Sequence, residues 1–274
     1  MFVNPVLYCD LNNTLLSEGG SLFHLSDGTP SFAGGEIIPF CDTVGIVVVL
    51  VGGQKLDEMA PIAKLLGVSS YIWEAGAGYC QHEEVFYLVG PDFTKEGKTP
   101  YQLIAETGAP DLLLKTYKGS LEYSPWSNGY QVSHLFRGRV NVYAANALLR
   151  AQGHQNLKLV DDGTVGWAPS LPGILSPRTY HLLPAGVSKA NAIAQFSAKL
   201  KIPNERTYAC GDSLFDCEMA KVVQRLFIVE NGPAEDPEIA DLAGEYGNVS
   251  FVRVNSLGVR DAAKYILNHS NMNK

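Results

Sequence analysis

Gly45 to Val51 reads Gly-Ile-Val-Val-Val-Leu-Val, and few structures accept such a run. β-Branched residues and leucine without a polar break suit a strand buried on both faces, which implies a parallel sheet with helices on either side. The run ends in Gly52-Gly53-Gln54. From about Lys55 to Leu66, apolar Leu56, Met59, Ile62, Ala63 and Leu66 fall on one helical face, and Gly67 supplies the stop. Upstream, Val6 to Cys9 reads as a second buried strand that ends in Asp10. A Gly/Ser/Pro-rich loop over Ser17 to Gly35 and a short helix over Glu36 to Val44 lie between the two strands. Tyr71 to Trp73 forms a third strand and runs into Glu74-Ala75-Gly76-Ala77-Gly78. Strands alternating with helices predict an α/β fold, a doubly wound, Rossmann-like parallel sheet.

From about Glu83 the texture changes. Tyr, Trp, His and Pro become more frequent, and Tyr130 to Phe136 alternates polar and apolar residues as a half-buried antiparallel strand does. Asn141 to Gln152 reads as a helix. Leu157 to Val160 and Thr164 to Trp167 read as a hairpin around Asp161-Asp162-Gly163, and Pro169 to Pro177 as a linker. The first pattern then resumes. Strands are expected at Tyr180 to Leu183, Arg206 to Cys210, Leu226 to Val229 and Phe251 to Val254. Helices are expected at Ser188 to Leu200, Leu214 to Val223, Glu235 to Leu242 and Val259 to Leu267. The expected organisation is a core domain built from residues 1–82 and 179–274, with an α+β domain inserted over 83–178.

A chain of 274 residues is long enough for two such units. Its net charge of −7, with no basic block, argues against nucleic acid or an anionic membrane as partner. The five cysteines (Cys9, Cys41, Cys80, Cys210, Cys217) match no zinc spacing and read as small buried thiols in a reducing compartment. Met1 to Pro5 lacks the features of a signal peptide, and the longest apolar run is too short to span a membrane. A cytoplasmic protein is expected. Composition does not address its oligomeric state.

Open α/β sheets bind ligands at the C-terminal ends of their strands, which is where Asp10 is expected. There an Asp can act as nucleophile, metal ligand or both, although strand, acid and polar turn is also an ordinary way to leave a core. A second acidic strand end follows at Gly211-Asp212-Ser213-Leu214-Phe215-Asp216. Asp212 and Asp216 are four apart at a helix start and can face one point, or Asp212 can simply cap that helix. Three carboxylates converging there require a hard cation, and Mg2+ fits oxygen donors. Lys189 opens a helix, where a cation is misplaced unless it serves an anion held at the free N–H groups. Gly52-Gly53 offers bare amides after a buried strand, either as a plain turn or as a phosphate cradle.

In this order the four elements resemble the haloacid dehalogenase (HAD) superfamily, closest to its Cof-type, sucrose-phosphatase-like branch with a type IIB cap. The motif Asp-x-Asp-x-Thr corresponds to Asp10-Leu11-Asn12-Asn13-Thr14. The apolar strand ending in Thr/Ser-Gly corresponds to Leu50-Val51-Gly52-Gly53, and Glu-Asn-Gly-Ala to Glu74-Ala75-Gly76-Ala77. Gly-Val-Ser-Lys is intact at Gly186 to Lys189. Gly-Asp-Ser-x-Asn-Asp corresponds to Gly211 to Asp216. The resemblance implies a Mg2+-dependent phosphatase acting on a small phosphorylated metabolite, a sugar phosphate or phosphorylated sugar acid. Asp10 would attack phosphorus to form an aspartyl-phosphate, which water then hydrolyses. Mg2+ would be held by Asp10, the Asn12 carbonyl and Asp212, with Asp216 close by or acting through water. Lys189 and the Gly52 and Gly53 amides would neutralise the phosphoryl oxygens.

Four positions depart from that pattern. Asn12 stands where family phosphatases carry the Asp that protonates the leaving group, and a carboxamide cannot do so. Gly52 lacks the hydroxyl that touches phosphate, and Ala75 and Phe215 replace two Asn. Three readings follow: a slow phosphatase, a ligand- or protein-binding relative that barely turns over, or a trap in which Asp was exchanged for Asn12. The third leaves Gly52, Ala75 and Phe215 unexplained. In the cap, His134 and Arg137, near Arg139, Tyr123 and Trp126, are the candidate substrate contacts, because aromatics stack on sugars and Arg pairs with carboxylates. Ordinary cap-core aromatics and a solvated edge are the competing reading for each.

Overall fold

The computed structural model describes residues 4–164 and 170–270. Two sheets organise the chain. The strands are β1 (Val6–Asp10), β2 (Val47–Val51), β3 (Ser70–Trp73), β4 (Gly78–Gln81), β5 (Glu84–Tyr87), β6 (Leu121–Tyr123), β7 (His134–Gly138), β8 (Leu157–Thr164), β9 (Arg178–Pro184), β10 (Thr207–Gly211), β11 (Arg225–Val229) and β12 (Val249–Val252). The larger sheet runs β12-β11-β10-β1-β2-β3-β4-β5. Its first six strands are parallel, and the β4–β5 hairpin closes one edge antiparallel. The smaller sheet, β6-β7-β9-β8, is wholly antiparallel and forms the cap.

The central strand shows why the sequence folds this way. Leu7 and Cys9 enter one apolar cluster with Leu50, Phe227 and Ile266, while Val6 and Tyr8 enter another with Val49, Ile193 and Phe196. A strand without a polar face is stable only when helices cover both sides. The helices are α1 (Ala33–Thr43), α2 (Leu56–Leu66), α3 (Pro100–Glu106), α4 (Ala109–Thr116), α5 (Val142–Ala151), α6 (Lys189–Leu200), α7 (Leu214–Cys217), α8 (Asn231–Glu235), α9 (Glu238–Gly244) and α10 (Asn255–Ser270). From β1 the chain winds one way to β2 and β3, and later the other way from β10 to β12. The order therefore reverses between β1 and β10, the place where doubly wound sheets bind ligands.

Several sequence expectations shift. The strand expected at Tyr180 to Leu183 exists, but it pairs with β7 and β8 in the cap sheet instead of resuming the core. Glu84–Tyr87 in turn extends the core sheet, so by sheet membership the insertion runs from about 88 to 184 and not from 83 to 178. No hairpin turns at Asp161-Asp162-Gly163. Strand β8 continues through them with a register shift against β9, and the remainder of the expected hairpin, to Trp167, lies outside the described residues, as does Pro169. Strand β7 begins at His134 and not Tyr130, because the N–H groups of Gln131, Val132 and Ser133 are bound by Glu74. The helix expected over Glu235 to Leu242 is broken between α8 and α9. Pro237 forces Asp236 into an extended conformation there. Among the described residues no helix is long and apolar enough to cross a membrane.

Candidate active site

Strand β1 delivers Asp10 to the switch point, and the turn that follows is pinned. Asn13 takes a left-handed φ of 56°, a conformation asparagine tolerates better than most residues. Its carbonyl accepts hydrogen bonds from Asn231 Nδ2 (2.8 Å) and Asn255 Nδ2 (2.7 Å), and Asn231 Oδ1 accepts from the Asn255 backbone N–H (3.0 Å). Three asparagines far apart in sequence thus fix the loop that carries Asn12. Thr14 Oγ1 donates to Asp212 Oδ1 at 2.9 Å and joins the β1 turn to the β10 turn.

At the end of β10, Ser213 and Asp216 form a reciprocal capping box at the start of α7. Asp216 Oδ2 accepts from the N–H groups of Asp212 (3.1 Å) and Ser213 (3.0 Å) and from Ser213 Oγ (2.7 Å). Gly211 has to lack a side chain, since a Cβ there would stand 2.5 Å from the Asp216 carboxyl carbon. Lys189, first residue of α6, is buried and lies 2.9 Å from both Asp10 Oδ1 and Asp216 Oδ1. The segment entering the cap holds the approach to Lys189. Gly76 has φ of 101°, and a Cβ on it would sit 2.2 Å from the Ser188 carbonyl oxygen.

The charges in this cluster are interdependent. Burial pushes Asp10 up to about 7, with Asp216 and Asp162 adding to the effect against the attraction of Lys189. Burial, then Asp10 and Asp216, holds Asp212 well above the usual carboxylate range. Burial alone would lower Lys189, but Asp10, Asp162 and Asp216 hold its ammonium well above its ordinary value. One carboxylate oxygen from each of Asp10, Asp212 and Asp216 lies within 4.8 Å of the others. Oxygen donors that repel one another in this way are the donor set of a hard divalent cation, and Mg2+ fits them. Both Asp216 oxygens already serve protein donors, so Asp10 and Asp212 are the direct candidates.

The cavity over this cluster measures ≈ 390 Å³ and is lined by core residues Asp10, Asn12, Gly53, Gln54 and Lys189 together with cap residues. Asp10, Asn12, Gly53, Lys189 and Asp212, all expected from the sequence, line it. Gly52 is a correction to the expected phosphate cradle, because its N–H donates to the Ile72 carbonyl at 3.1 Å within the sheet. His134 and Arg137 are corrections too, since neither lines the cavity. His134 stacks on Tyr101 inside the cap (centroids 3.8 Å apart) and bonds Tyr123 and the Tyr101 carbonyl. Arg137 pairs with Glu122 at 2.7 Å and donates to Ser170. Phe215, in place of Asn, sets its ring centroid 5.6 Å from Lys189 Nζ.

The cap contributes residues that the sequence did not single out. Asp162 on β8 reaches down to place Oδ1 3.3 Å from Lys189 Nζ, and its Oδ2 is 3.5 Å from His181 Nε2 on β9. Despite its burial, the ammonium of Lys189 and a hydrogen bond with His181 hold Asp162 well below the usual carboxylate range. Gly53 makes this approach possible, since a Cβ there would stand 2.5 Å from Asp162 Oδ2 and 2.8 Å from His181 Nε2. In the sequence Glu74 stands out only as part of a motif. Its buried carboxylate accepts three cap N–H groups, from Gln131, Val132 and Ser133, at 2.8–2.9 Å.

Comparison with known proteins agrees with this fold. Residues 174–248 match the family model of haloacid dehalogenase-like hydrolases. That segment is similar to haloacid dehalogenase-like hydrolases. The fold of the chain is similar to that of the sucrose-phosphatase from Synechocystis solved with sucrose and phosphate (TM-score 0.64, 14% identity, 97% of this chain and 98% of that one). It is similar also to a haloacid dehalogenase-like hydrolase from B. subtilis (0.62, 17%, 95% and 99%). A third similar structure is a subclass IIB sugar phosphatase (0.61, 12%, 97% and 99%). No curated protein matches the sequence significantly. At these identities the structural likeness establishes the fold of the chain, a parallel core with an antiparallel cap, and leaves its chemistry to the residues.

Proposed function

We propose that this chain is a Mg2+-dependent phosphatase acting on a small phosphorylated metabolite, a sugar phosphate or phosphorylated sugar acid, in the cytoplasm. The observation that carries the reading is the convergence of Asp10, Asp212 and Asp216 from two distant strand ends around the ammonium of Lys189. Asp10 is the nucleophile. It stands at the cavity floor with Oδ1 fixed by Lys189, so it attacks phosphorus without first reorienting. The bond from phosphorus to the leaving oxygen breaks as the Asp10–phosphorus bond forms, and water then cleaves the acyl phosphate. Lys189 and the Gly53 N–H oppose the charge on the phosphoryl oxygens. Mg2+, held by Asp10, Asp212 and the Asn12 carbonyl, supplies further charge neutralisation when bound. Asp216 positions Lys189 and the Asp212 loop. The capped cavity and its aromatic rim at Trp126 and Tyr130 suit an organic phosphate of sugar size.

Asn12 lines the cavity but brings no acid, so the leaving group must depart with help from water or carry its own stability. The test is phosphate release with Mg2+ from a panel of sugar phosphates, by the natural chain, Asn12→Asp and Asp10→Asn. The expected result is slow release, a gain of about 10²–10⁴-fold in Asn12→Asp, and none from Asp10→Asn. Folded protein and folded Asn12→Asp that both fail to release phosphate would end the enzymatic reading. A second reading, a relative that binds a phosphorylated ligand without turnover, draws on Asn12 and on the Asp162 carboxylate beside Lys189. Tight Mg2+-dependent phosphate binding without release in that assay would select it.

A further inference from the structure

We propose that Gln54 is a phosphoryl-contacting residue, its carboxamide making the contact that Gly52 has no side chain to make. The inference rests on the anion site described under Proposed function and identifies one of its donors. Gly52 contributes nothing to an anion itself: it lacks a side chain, and its N–H is bound to the Ile72 carbonyl. The space beside it is filled all the same. A Cβ built on Gly52 would fall 2.0 Å from Gln54 Oε1 and 3.2 Å from Gln54 Cδ. The end of the Gln54 side chain therefore occupies the room that a residue-52 side chain would take, folded back along the chain by two positions.

The rest of Gln54 is already committed. Its carbonyl accepts from the Glu74 N–H at 2.9 Å, which holds the backbone against the segment entering the cap. The side chain lines the cavity with Asp10, Gly53 and Lys189. Its Oε1 is buried, with no hydrogen-bond partner among the described residues. A buried amide oxygen without a partner is destabilising unless a ligand or a rearranged carboxamide completes it. A half-turn about the last bond of the side chain exchanges its oxygen and nitrogen positions, so the same place can offer two N–H donors. In the cavity that Lys189 and Gly53 also line, an uncharged double donor suits a phosphoryl dianion or a trigonal mimic of it. Gly52 is then a requirement of the arrangement, because any side chain there would expel the carboxamide.

The probe is inorganic phosphate in the presence of Mg2+, followed by calorimetry on the full chain, with vanadate as a second anion. Gln54→Ala is expected to weaken phosphate binding by about tenfold or more, the usual loss of a hydrogen bond to a charged group. Circular dichroism and the unfolding midpoint should stay unchanged. Gln54→Glu, of the same shape but with no donor and a negative charge, is expected to bind more weakly still. Gly52→Ser placed in the Gln54→Ala background, where the space has been vacated, is expected to restore part of the affinity. If the natural chain binds phosphate and Gln54→Ala binds it within about twofold, the inference is overturned and the phosphatase reading stands. A double variant no better than Gln54→Ala would trace the loss to a disturbed loop and overturn the contact. A folded natural chain that binds no phosphate would overturn the inference and the anion site together.

Discussion

Burial, with Asp216 and Asp162 nearby, holds the Asp10 carboxyl up to about 7 although an ammonium lies 2.9 Å away. Raised in this way, Asp10 carries a proton below about pH 7 that it must lose before it can bind a cation or attack phosphorus. Mg2+ binding is therefore expected to release protons, with affinity falling by about tenfold or more for each pH unit below 7, since Asp212 is raised as well. Calorimetry in two buffers of different ionisation heat measures that release, and Asp10→Asn should remove Asp10's share of the slope and leave that of Asp212. A pH-independent affinity would place the cation away from Asp10. The cation of Lys189 has the complementary role, since among the described residues it is the one ammonium against Asp10, Asp162 and Asp216. Lys189→Met leaves those carboxylates facing one another and is expected to destabilise the metal-free protein by about 3 kcal/mol. Added Mg2+ should recover part of the loss through Asp10 and Asp212. Thermal unfolding with and without Mg2+ reads both effects, and an unchanged midpoint would mean that the carboxylates had relaxed apart.

Strand β8 imposes a different constraint, because it brings an anion to a site proposed to bind one. Asp162 lies against Lys189 and over Gly53, so an entering phosphoryl group has to displace it or accept its repulsion. Asp162→Ala is expected to tighten Mg2+-dependent phosphate binding by about tenfold, the scale of one removed like charge in a partly screened site. Weaker binding in that variant would make Asp162 a ligand contact and not an obstacle. Asp162 was hidden in the sequence for a physical reason. Asp-Asp-Gly is strong local turn chemistry, and only pairing with β9 carries the strand through it. The same non-local pairing decided that Tyr180 to Leu183 joins the cap, since a short apolar run does not specify its sheet. Asp10, Lys189, Asp212 and Asp216 were legible because each is locally out of place, an acid at a strand end or a cation at a helix start. Gln54 and His181 give no such signal, and their position in the site depends on two glycines that leave room for them. The Glu74 clasp is likewise visible only when both of its ends are seen. Glu74→Ala leaves three cap N–H groups without their acceptor, and hydrogen exchange at Gln131 to Ser133 is expected to accelerate before exchange elsewhere in the cap.

Cap and core are fastened on two sides. Glu74 binds the loop before β7 and Tyr130 donates to the Gly53 carbonyl on one side. Arg178 on β9 joins Asp161 to Asp236 on the other. The two bodies are nevertheless expected to differ in their response to mild acid. In the metal-free core, Asp10 and Asp212 have folded-state values raised above those of the unfolded chain. Their contribution to stability is full at low pH and is lost as pH rises through the folded values, so acidification from neutrality favours the core. In the cap, burial lowers His134 below its ordinary 6.5, with Asp111 opposing. Neutral His134 donates through Nε2 to the Tyr101 carbonyl and accepts at Nδ1 from the Tyr123 hydroxyl, both at 2.9 Å, and the unfolded chain takes up a proton there more readily than the folded cap does. That contribution is present above about 6.5 and lost as pH falls through the folded value, so acidification disfavours the cap. Between about pH 7 and pH 5, opening free energies from hydrogen exchange should fall for α4 and β7 while those of β1 and β10 hold or rise. Mg2+ should reverse the trend in the core, since its ligands must be deprotonated. His134→Gln keeps a donor and an acceptor but cannot titrate, so it should flatten the cap's response and leave the core's untouched. If both bodies lose protection together in the natural chain, their fastenings outweigh these titrations and the molecule opens as one cooperative unit.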